Sequence, residues 1–443
     1  MNTHKVVRPR MYTYAERREA HSAYSLYVHI PFCSQKCGYC DFASWPYAAN
    51  TNDRDRYLAA VRTDIQQLAS WGLLCDVQTA YIGGGTPTCL GSKLPELISS
   101  IAELCSPVEF SCEANPDSTS DELLAQLAQS PLTRISFGVQ SCHERELRAL
   151  VRTHTARQAL SRLRCAATQG LCVSCDLMCA IPYQTPASWY QSLVLCCEQG
   201  ISHISIYPLA IEPHTAFWKR YSSVHPAFNN DLVQAARMKA AARILQEIGF
   251  ARYEVASYAR VMSHDTHAAA SAQVPLYACA HNRAYWTQEP YIGVGTSAAS
   301  MLTAWQYNML RKHMPQLPEC TTSVVRVRIT VNDSRAHMCA YPGWQHRNLT
   351  LEFFNEEQCT AEDLMLQARC TCGIEPDLLA HAYDVFGTNT MDALLDELEH
   401  FSLIVRADGR ILPTEAGWLM GNALFERLWG LAQEPPFTLH VSA

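Results

Sequence analysis

Between residues 25 and 209 the sequence alternates between short apolar runs and longer helical segments. The runs that read as strands lie at 25–30, 77–84, 108–115, 133–140, 171–178 and 201–209. The segments between them show helical spacing of apolar residues, as in DRYLAAVRTDIQQLASWG at 55–72. Strands alternating with helices in this way predict βαβ units and a parallel sheet. Six units are too few for a closed eightfold barrel, so we predict an α/β fold with a partial (β/α)6 barrel.

The predicted barrel occupies residues 25–260 and leaves three further segments. Residues 1–24 are expected to form an N-terminal arm. Residues 261–345 form an extension that opens with a small, polar loop at about 262–280. In residues 346–443 the apolar residues mostly show helical spacing, and RADGRILP reads as a short hairpin. This pattern predicts a small α-rich, winged-helix-like C-terminal domain.

The composition predicts a soluble globular protein. Hydrophobic residues make up 48% and charged residues 17% of the chain, and the formal net charge is −7. This balance does not favour a nucleic-acid partner. The first thirty residues contain charges throughout and lack the apolar core of a signal peptide, and no run approaches the roughly 18 apolar residues of a membrane span. We therefore expect a cytoplasmic protein.

The chain contains 20 cysteines, and three of them form a recognisable motif. In a long chain without a signal peptide we expect reduced thiols, most of them small apolar core residues. Cys33, Cys37 and Cys40, in HIPFCSQKCGYCDF, follow the pattern C-x3-C-x2-C directly after the first predicted strand. Cys172 and Cys175 also have C-x2-C spacing, but they lie within a predicted strand.

Three thiolates at this spacing predict a [4Fe–4S] cluster. A zinc site would need a fourth ligand, usually close in sequence, and none follows Cys40 closely. Three ligands leave one iron of the cubane open to a small chelating molecule. S-adenosylmethionine (SAM) offers an amino group and a carboxylate for that position, and an electron from the cluster can then cleave its sulfonium.

The sequence YVHIPFCSQKCGYCDF resembles the signature of radical SAM proteins related to oxygen-independent coproporphyrinogen III oxidase. The resemblance covers about residues 25–300 and includes several motifs in order. It implies a SAM site at the carboxyl ends of the strands, where GGGTP contacts the methionine part of SAM. Tyr27 and Tyr39 are implied to lie against SAM and the cluster. The residues implied to bind SAM are Gly84, Gly85, Thr86, Glu113, Gln140, Arg152 and Asp176.

Two branches of this group share these motifs, namely the oxidase and the HemW-type haem chaperones. The oxidase signature continues C-x3-C-x2-C-x-C, whereas this chain has Phe42 at the last position. The oxidase also has a longer N-terminal arm. In the oxidase branch His29 matches a position close to the cluster, so there it is a candidate catalytic residue.

Residues 281–286 read HNRAYW, which matches a haem-binding motif of the chaperone-like branch. A neutral histidine is a suitable axial ligand for haem iron, and aromatic rings pack against a flat macrocycle. The resemblance thus makes His281, Asn282, Tyr285 and Trp286 candidate haem-binding residues. The alternative is that they make structural hydrogen bonds and fill a core.

The chain departs from its relatives at three places around these motifs. It has GVGTSAAS at 293–300 where relatives often have Gly-Pro-Gly-Ala-His, Ala280 where they often have arginine, and AIP at 180–182 where they have Gly-Leu-Pro. These departures concern the haem site and leave the cluster motif intact.

The sequence favours a haem chaperone that binds a [4Fe–4S] cluster, SAM and haem and passes the haem to a recipient protein. One alternative is the oxidase or another radical SAM enzyme that acts on a tetrapyrrole. Another is a regulatory iron–sulfur protein that no longer cleaves SAM, against which the intact GGGTP and Asp176 motifs argue. The expected partners are haem or a porphyrinogen, a haem recipient and an electron donor.

Overall fold

All six strands predicted between residues 25 and 209 are present, each within two residues of its predicted limits. The computed structural model describes residues 8–47, 52–223, 225–262 and 274–442. The strands are β1 (Ser25–Ile30), β2 (Phe32–Cys33), β3 (Trp45–Pro46), β4 (Thr79–Gly84), β5 (Glu109–Ala114), β6 (Arg134–Gln140), β7 (Cys172–Cys179), β8 (His203–Pro208), β9 (Phe250–Arg252), β10 (Ser257–Arg260), β11 (Tyr291–Val294), β12 (Ala299–Thr303), β13 (Arg326–Val331), β14 (Leu349–Phe354), β15 (Ile404–Ala407), β16 (Arg410–Pro413) and β17 (Phe437–Val441).

Helices follow the strands of the barrel and dominate the C-terminal region. They are α1 (Tyr14–Arg18), α2 (Asp53–Ser70), α3 (Lys93–Cys105), α4 (Asp121–Gln129), α5 (Glu144–Ala149), α6 (Ala156–Thr168), α7 (Pro186–Cys197), α8 (Ala216–Tyr221), α9 (Asp231–Glu247), α10 (Ala280–Trp286), α11 (Ala304–His313), α12 (Arg335–Ala340), α13 (Glu356–Gln367), α14 (Pro376–Phe386), α15 (Thr388–His400), α16 (Glu415–Leu419) and α17 (Gly421–Trp429). Among the described residues, no helix is both long and apolar enough to span a bilayer.

The main sheet has thirteen strands in the order β17-β14-β13-β12-β11-β1-β4-β5-β6-β7-β8-β10-β9. Its central part, from β11 to β8, is entirely parallel, and both flanks are antiparallel. The predicted partial (β/α)6 barrel is therefore confirmed. A seventh parallel strand, β11, was not predicted and pairs with β1, so that Ser25 lies opposite Tyr291.

The parallel strands are apolar because helices cover one face and the barrel interior lies on the other. Leu26, Val28 and Ile30 of β1 are completely buried in the main core. Several covering helices begin at a side chain that accepts a hydrogen bond from the first turn, which stabilises a helix by about 1 kcal/mol. These N-cap residues are Ser120, Thr155, Thr185 and Asn230.

The C-terminal helices α13 to α17 enclose a second, smaller core. The predicted hairpin at RADGRILP is present as β15 and β16. The sheet, however, runs across the boundary predicted at residue 346, because β14 pairs with β13 and β17 pairs with β14. The helical region is thus tied to the barrel by backbone hydrogen bonds. Most of the loop expected at 262–280 lies outside the described residues.

Candidate functional site

A cavity of about 550 Å³ opens at the carboxyl ends of the parallel strands and is called the upper cavity below. This is the end of a β/α barrel where binding and catalytic groups gather. Its wall contains the motif cysteines together with most residues implied to bind SAM: Cys33, Cys37, Tyr39, Cys40, Gly84, Gly85, Thr86, Glu113, Gln140, Arg152, Asp176 and Asn282. Residues from distant parts of the sequence thus meet as predicted.

The three motif cysteines lie on one loop that leaves β1 and passes over the upper cavity. Cys33 ends β2 and is buried, whereas Cys37 and Cys40 are half-buried in the following turn. The backbone N–H of Cys40 donates to the carbonyl of Cys37 at 3.2 Å, which keeps the turn tight. The Thr86 hydroxyl donates to Cys33 Sγ at 3.6 Å.

Arg152 connects the cysteine loop to the strand ends. Its Nη1 donates to Cys37 Sγ at 3.2 Å, and its Nη2 donates to Asn115 Oδ1 at 2.7 Å and to the Gly138 carbonyl at 2.6 Å. The Asn115 amide in turn donates to Thr86 Oγ1 at 3.0 Å. The guanidinium thus ties Cys37 to the ends of β5 and β6 and fixes the position of its sulfur. The arrangement therefore suits a thiolate-ligated cluster.

The donor groups of the upper cavity come from one short loop. Among the described residues, no three histidine, cysteine or acidic side chains are close enough to hold a single metal ion. A cubane binds each thiolate to a different iron, so its ligands stand further apart than those of one ion. Cys33, Cys37 and Cys40 share one wall of the upper cavity, where they would hold such a cluster.

Gly84 and Gly85 allow the strand end to pack against the cysteine loop. At Gly84 φ is +109°, and a Cβ there would lie 2.4 Å from the His29 ring. A Cβ on Gly85 would lie 2.6 Å from the carbonyl oxygen of Phe32. The N–H of Gly85 donates to the Ile30 carbonyl, at 2.8 Å. The glycines of YIGGGTPT thus fix the start of the cysteine loop as well as lining the cavity.

Two carboxyl groups face the upper cavity from neighbouring parts of the sheet. Glu113 accepts hydrogen bonds from the Gly84 N–H at 2.9 Å and from the Tyr81 hydroxyl at 3.0 Å, and Asp176 accepts one from Ser136 at 3.1 Å. Burial raises the pKa of Glu113 to about 7 and that of Asp176 to about 6. Carboxylates held in this way can accept hydrogen bonds from the hydroxyl groups of a ligand.

We expect Glu113 to make the unfolding free energy of the cofactor-free protein depend on pH. Because its pKa is raised from 4.5 in the unfolded chain to about 7 in the folded one, its contribution is complete below pH 4.5 and is lost as the pH rises through 7. Glu113→Gln should therefore flatten the loss of stability between pH 5 and pH 8, as measured by urea unfolding. The exposed Glu103→Gln is the control, and equal pH profiles for both variants would contradict the assignment.

Gln140 ends β6 in an unusual backbone conformation. Its φ is +68°, and the pairing of β6 with β7 shifts register between Gly138 and Gln140. Its side-chain oxygen is buried without a hydrogen-bond partner among the described residues. A strained residue with a free acceptor at a cavity wall is typical of a ligand contact.

His29 lies beneath the cysteine loop rather than in the cavity wall. Its Nε2 donates to the Ala43 carbonyl at 2.9 Å, and its Nδ1 accepts from the Tyr27 hydroxyl at 3.0 Å. Burial lowers the pKa of His29, in agreement with the neutral ring that these bonds require. In this structure His29 and Tyr27 hold the far end of the cysteine loop. Tyr39 does line the cavity, with its ring edge against Phe217.

The HNRAYW motif forms α10, and its side chains point to different places. His281 is 1% exposed; its Nδ1 donates to Thr79 at 2.8 Å, and its Nε2 accepts from the Tyr285 hydroxyl at 3.2 Å. Asn282 reaches the upper cavity. Trp286 lies under the Arg369 guanidinium, 5.2 Å from its ring centre. In this conformation the four candidate haem-binding residues do not converge on one open site.

Sequence reasoning missed several residues of the upper cavity. Asn115, Ser136, Ser205, Tyr207 and Arg134 line it or organise its wall. Asn115 directly follows β5 in CEANPDS, so its position at a strand end was the available signal. The others are single polar residues inside strands, for which the sequence shows no distinguishing pattern.

Comparison with known proteins agrees with this geometry. Residues 27–196 match the family model described as the Radical SAM superfamily. The heme chaperone HemW of Bacillus subtilis (strain 168) is 28% identical over 92% of this chain and 99% of its own length, and that of Escherichia coli (strain K12) is 31% identical over 65% of this chain and 72% of its own length.

Among solved structures, the coproporphyrinogen III oxidase HemN from Escherichia coli shares the fold. Its TM-score is 0.69, and the match covers 94% of this chain and 92% of that one. At 18% sequence identity it supports the architecture alone. With these relatives, this chain belongs to the radical SAM superfamily and, within it, to the family of the heme chaperone HemW proteins.

Proposed function

We propose that this protein is a haem chaperone of the radical SAM class. It holds a [4Fe–4S] cluster and SAM in the upper cavity, binds haem and passes it to a recipient protein. The relatives named heme chaperone HemW, which align over most of their own length, support this proposal. The same arrangement of cysteines and strand-end residues supports the cluster and SAM.

The presence of Phe42 is the observation that favours a chaperone over an oxidase. It occupies the position where the oxidase signature has a further cysteine, and its side chain is 67% exposed at the rim of the upper cavity. An exposed aromatic ring offers a flat apolar surface to a ligand or partner. An aromatic ring at this rim suits contact with a flat macrocycle or with a haem recipient better than it suits reaction chemistry.

The roles proposed for the cavity residues follow from their geometry. Cys33, Cys37 and Cys40 ligate the cluster, and Arg152 holds the Cys37 sulfur in position through its hydrogen bond. When bound, the cluster supplies an open iron that chelates SAM and an electron that can reduce it.

The remaining cavity residues are proposed to hold SAM. Glu113 and Asp176 accept hydrogen bonds from the hydroxyl groups of SAM. Gln140 and Thr86 offer further polar contacts. Gly84 and Gly85 allow SAM to approach the backbone. Tyr39 packs beside the cluster, while Tyr27 acts through His29.

Haem binding at the HNRAYW motif is also part of the proposal. His281 ligates haem iron only after Nε2 leaves the Tyr285 hydroxyl, because both ring nitrogens are engaged in the described conformation. Burial lowers the pKa of His281 to about 4, so the ring is neutral in the described conformation, and the neutral ring is the form that ligates iron. Asn282, Tyr285 and Trp286 would then contact the macrocycle.

The test compares haem binding with oxidase chemistry on the same anaerobically reconstituted protein. We expect haem to bind at about one per chain in a spectroscopic titration and His281→Ala to weaken this binding, whereas the exposed His400→Ala leaves it unchanged. With coproporphyrinogen III, SAM and a reductant, we expect no protoporphyrinogen, while an established oxidase run alongside forms it.

Two results would contradict the proposal. Vinyl product at a rate matching the established oxidase would identify this protein as an oxidase and Phe42 as irrelevant to the choice. Unchanged haem affinity and stoichiometry in His281→Ala would reject the haem ligand proposed here.

A further inference from the structure

A second cavity, of about 310 Å³, lies at the amino ends of the parallel strands and is called the lower cavity below. Its wall includes Thr79 and Glu109, the first residues of β4 and β5. The salt bridge between Glu109 and Arg134, at 3.1 Å, separates it from the upper cavity, which Arg134 lines from above. The lower cavity is therefore distinct from the cluster site.

Three distant parts of the chain supply arginines to the lower cavity. They are Arg8, Arg10 and Arg17 of the N-terminal arm, Arg283 of α10 and Arg410 of β16. Three carboxyl groups, of Glu109, Glu289 and Glu375, share the wall. The wall thus has more arginines than carboxyl groups, and an excess of positive charge around one small space favours an anion there.

The wall carboxylates are mostly committed to other contacts. Glu109 pairs with Arg134, Glu375 pairs with Arg17, and Arg10 pairs with Glu16 outside the cavity. Burial raises the pKa of Glu289 to about 7, so it is only partly ionised near neutral pH. Within the described part of the chain, Arg8, Arg283 and Arg410 form no salt bridge, although Arg283 lies near Glu289.

Arg17, in the wall of the lower cavity, has one guanidinium nitrogen without a partner in the described part of the chain, while its other two donate to the Tyr12 carbonyl and to Glu375. It is 4% exposed, and its Nε is buried without a hydrogen-bond partner among the described residues. A buried donor left unpaired costs about 1–3 kcal/mol, so such groups usually meet a ligand or an ordered water.

The positive field of the cavity also acts on a thiol in its wall. The pKa of Cys372 is lowered first by a hydrogen bond from Cys370 and then by Arg283 and Arg410. The same field stabilises any anion that enters. The remaining wall is apolar, from Met11, Tyr12 and Leu276 among others, and suits the hydrocarbon part of a ligand.

We propose that the lower cavity binds a ligand through two carboxylate groups. Arg283 and Arg410 donate hydrogen bonds to these carboxylates, and Arg8 and Arg17 supply further donors. Arginine pairs with carboxylates through two parallel hydrogen bonds, which gives both affinity and orientation. The carboxylates come either from the propionates of a tetrapyrrole or from a free small dicarboxylate. The first source rests on the proposed function, and the second does not.

The first arm of the experiment titrates the full-length reconstituted protein with haem and with haem dimethyl ester, which lacks the carboxylates. We expect haem to bind at least about tenfold more tightly than the ester, because charge-assisted hydrogen bonds are lost in the ester. In the double variant Arg283→Gln/Arg410→Gln this preference should fall below about threefold.

The second arm measures the melting temperature with and without succinate. A free dicarboxylate that binds the folded chain raises the melting temperature of the wild type, but not that of the double variant. Arg243→Gln, whose exposed side chain lies on α9, is the control in both arms. Arg8→Gln, also on an exposed side chain, is expected to act in the same direction and replaces the double variant if that variant does not fold.

The outcomes distinguish tetrapyrrole propionates from a free dicarboxylate as the ligand. They also test the lower cavity site separately from the proposed haem chaperone function. An arginine-dependent preference for haem over its ester identifies propionates as the ligand groups. Succinate stabilisation without haem binding supports the lower cavity site while contradicting the proposed haem chaperone function. If no arginine-dependent preference exists and succinate has no arginine-dependent effect, the lower cavity site is rejected.

Discussion

Replacing Cys33, Cys37 or Cys40 with alanine is expected to lower the bound iron from about four per chain to less than one after anaerobic reconstitution. Three thiolates are the whole protein ligand set proposed for the cluster, so each replacement leaves only two. Iron and sulfide analysis measures the loss, and the visible absorption of the cluster should disappear with it.

The matched control is Cys75→Ala, because Cys75 is an exposed thiol outside the upper cavity wall. It should retain full iron content, which shows that removal of a thiol as such does not impair reconstitution. Four irons per chain in any of the three motif variants would refute the ligand assignment.

Gly84→Ala is expected to destabilise the protein by about 3 kcal/mol, measured by urea unfolding of the cofactor-free chain. Two effects add. A side chain at φ +109° costs about 1 kcal/mol or more, and the added Cβ meets the buried His29 ring at 2.4 Å. Because His29 holds the cysteine loop through Ala43, we also expect reconstituted iron to fall.

Gly249→Ala separates these two effects. Gly249 also has positive φ, +90°, but nothing lies within 4 Å of its added Cβ. It should therefore lose only about 1 kcal/mol and retain its cluster. Equal losses in both variants would show that the contact between Gly84 and His29 is unimportant.

The barrel and its strand-end site were predictable because both follow from regular patterns. Apolar runs alternate with amphipathic helices up to residue 209, and parallel strands necessarily bring their carboxyl ends together. Glu113, Gln140 and Asp176 each follow such a run, so their convergence on the upper cavity was expected. Beyond residue 260 the strands are short and irregularly spaced, and β11 to β14 were not predicted.

The sequence did not predict how deeply single polar side chains are buried or which groups they hydrogen-bond to. HNRAYW suggested an accessible histidine, but the hydrogen bonds of His281 to Thr79 and Tyr285 depend on how α10 packs against β4. The lower cavity gave no sequence signal, because its arginines come from positions 8 to 410. Only the folded chain brings these charges together.

The pairing of β1 with β11 has a consequence for the order in which the protein is made. Ser25 lies opposite Tyr291, so one edge of the strand that leads into the cysteine loop stays unpaired until most of the chain has left the ribosome. The cluster thiols are synthesised early, yet their supporting strand is completed late. We therefore expect the cysteine loop to reach its final, fully supported position only after residue 294 has been synthesised and β11 has paired with β1.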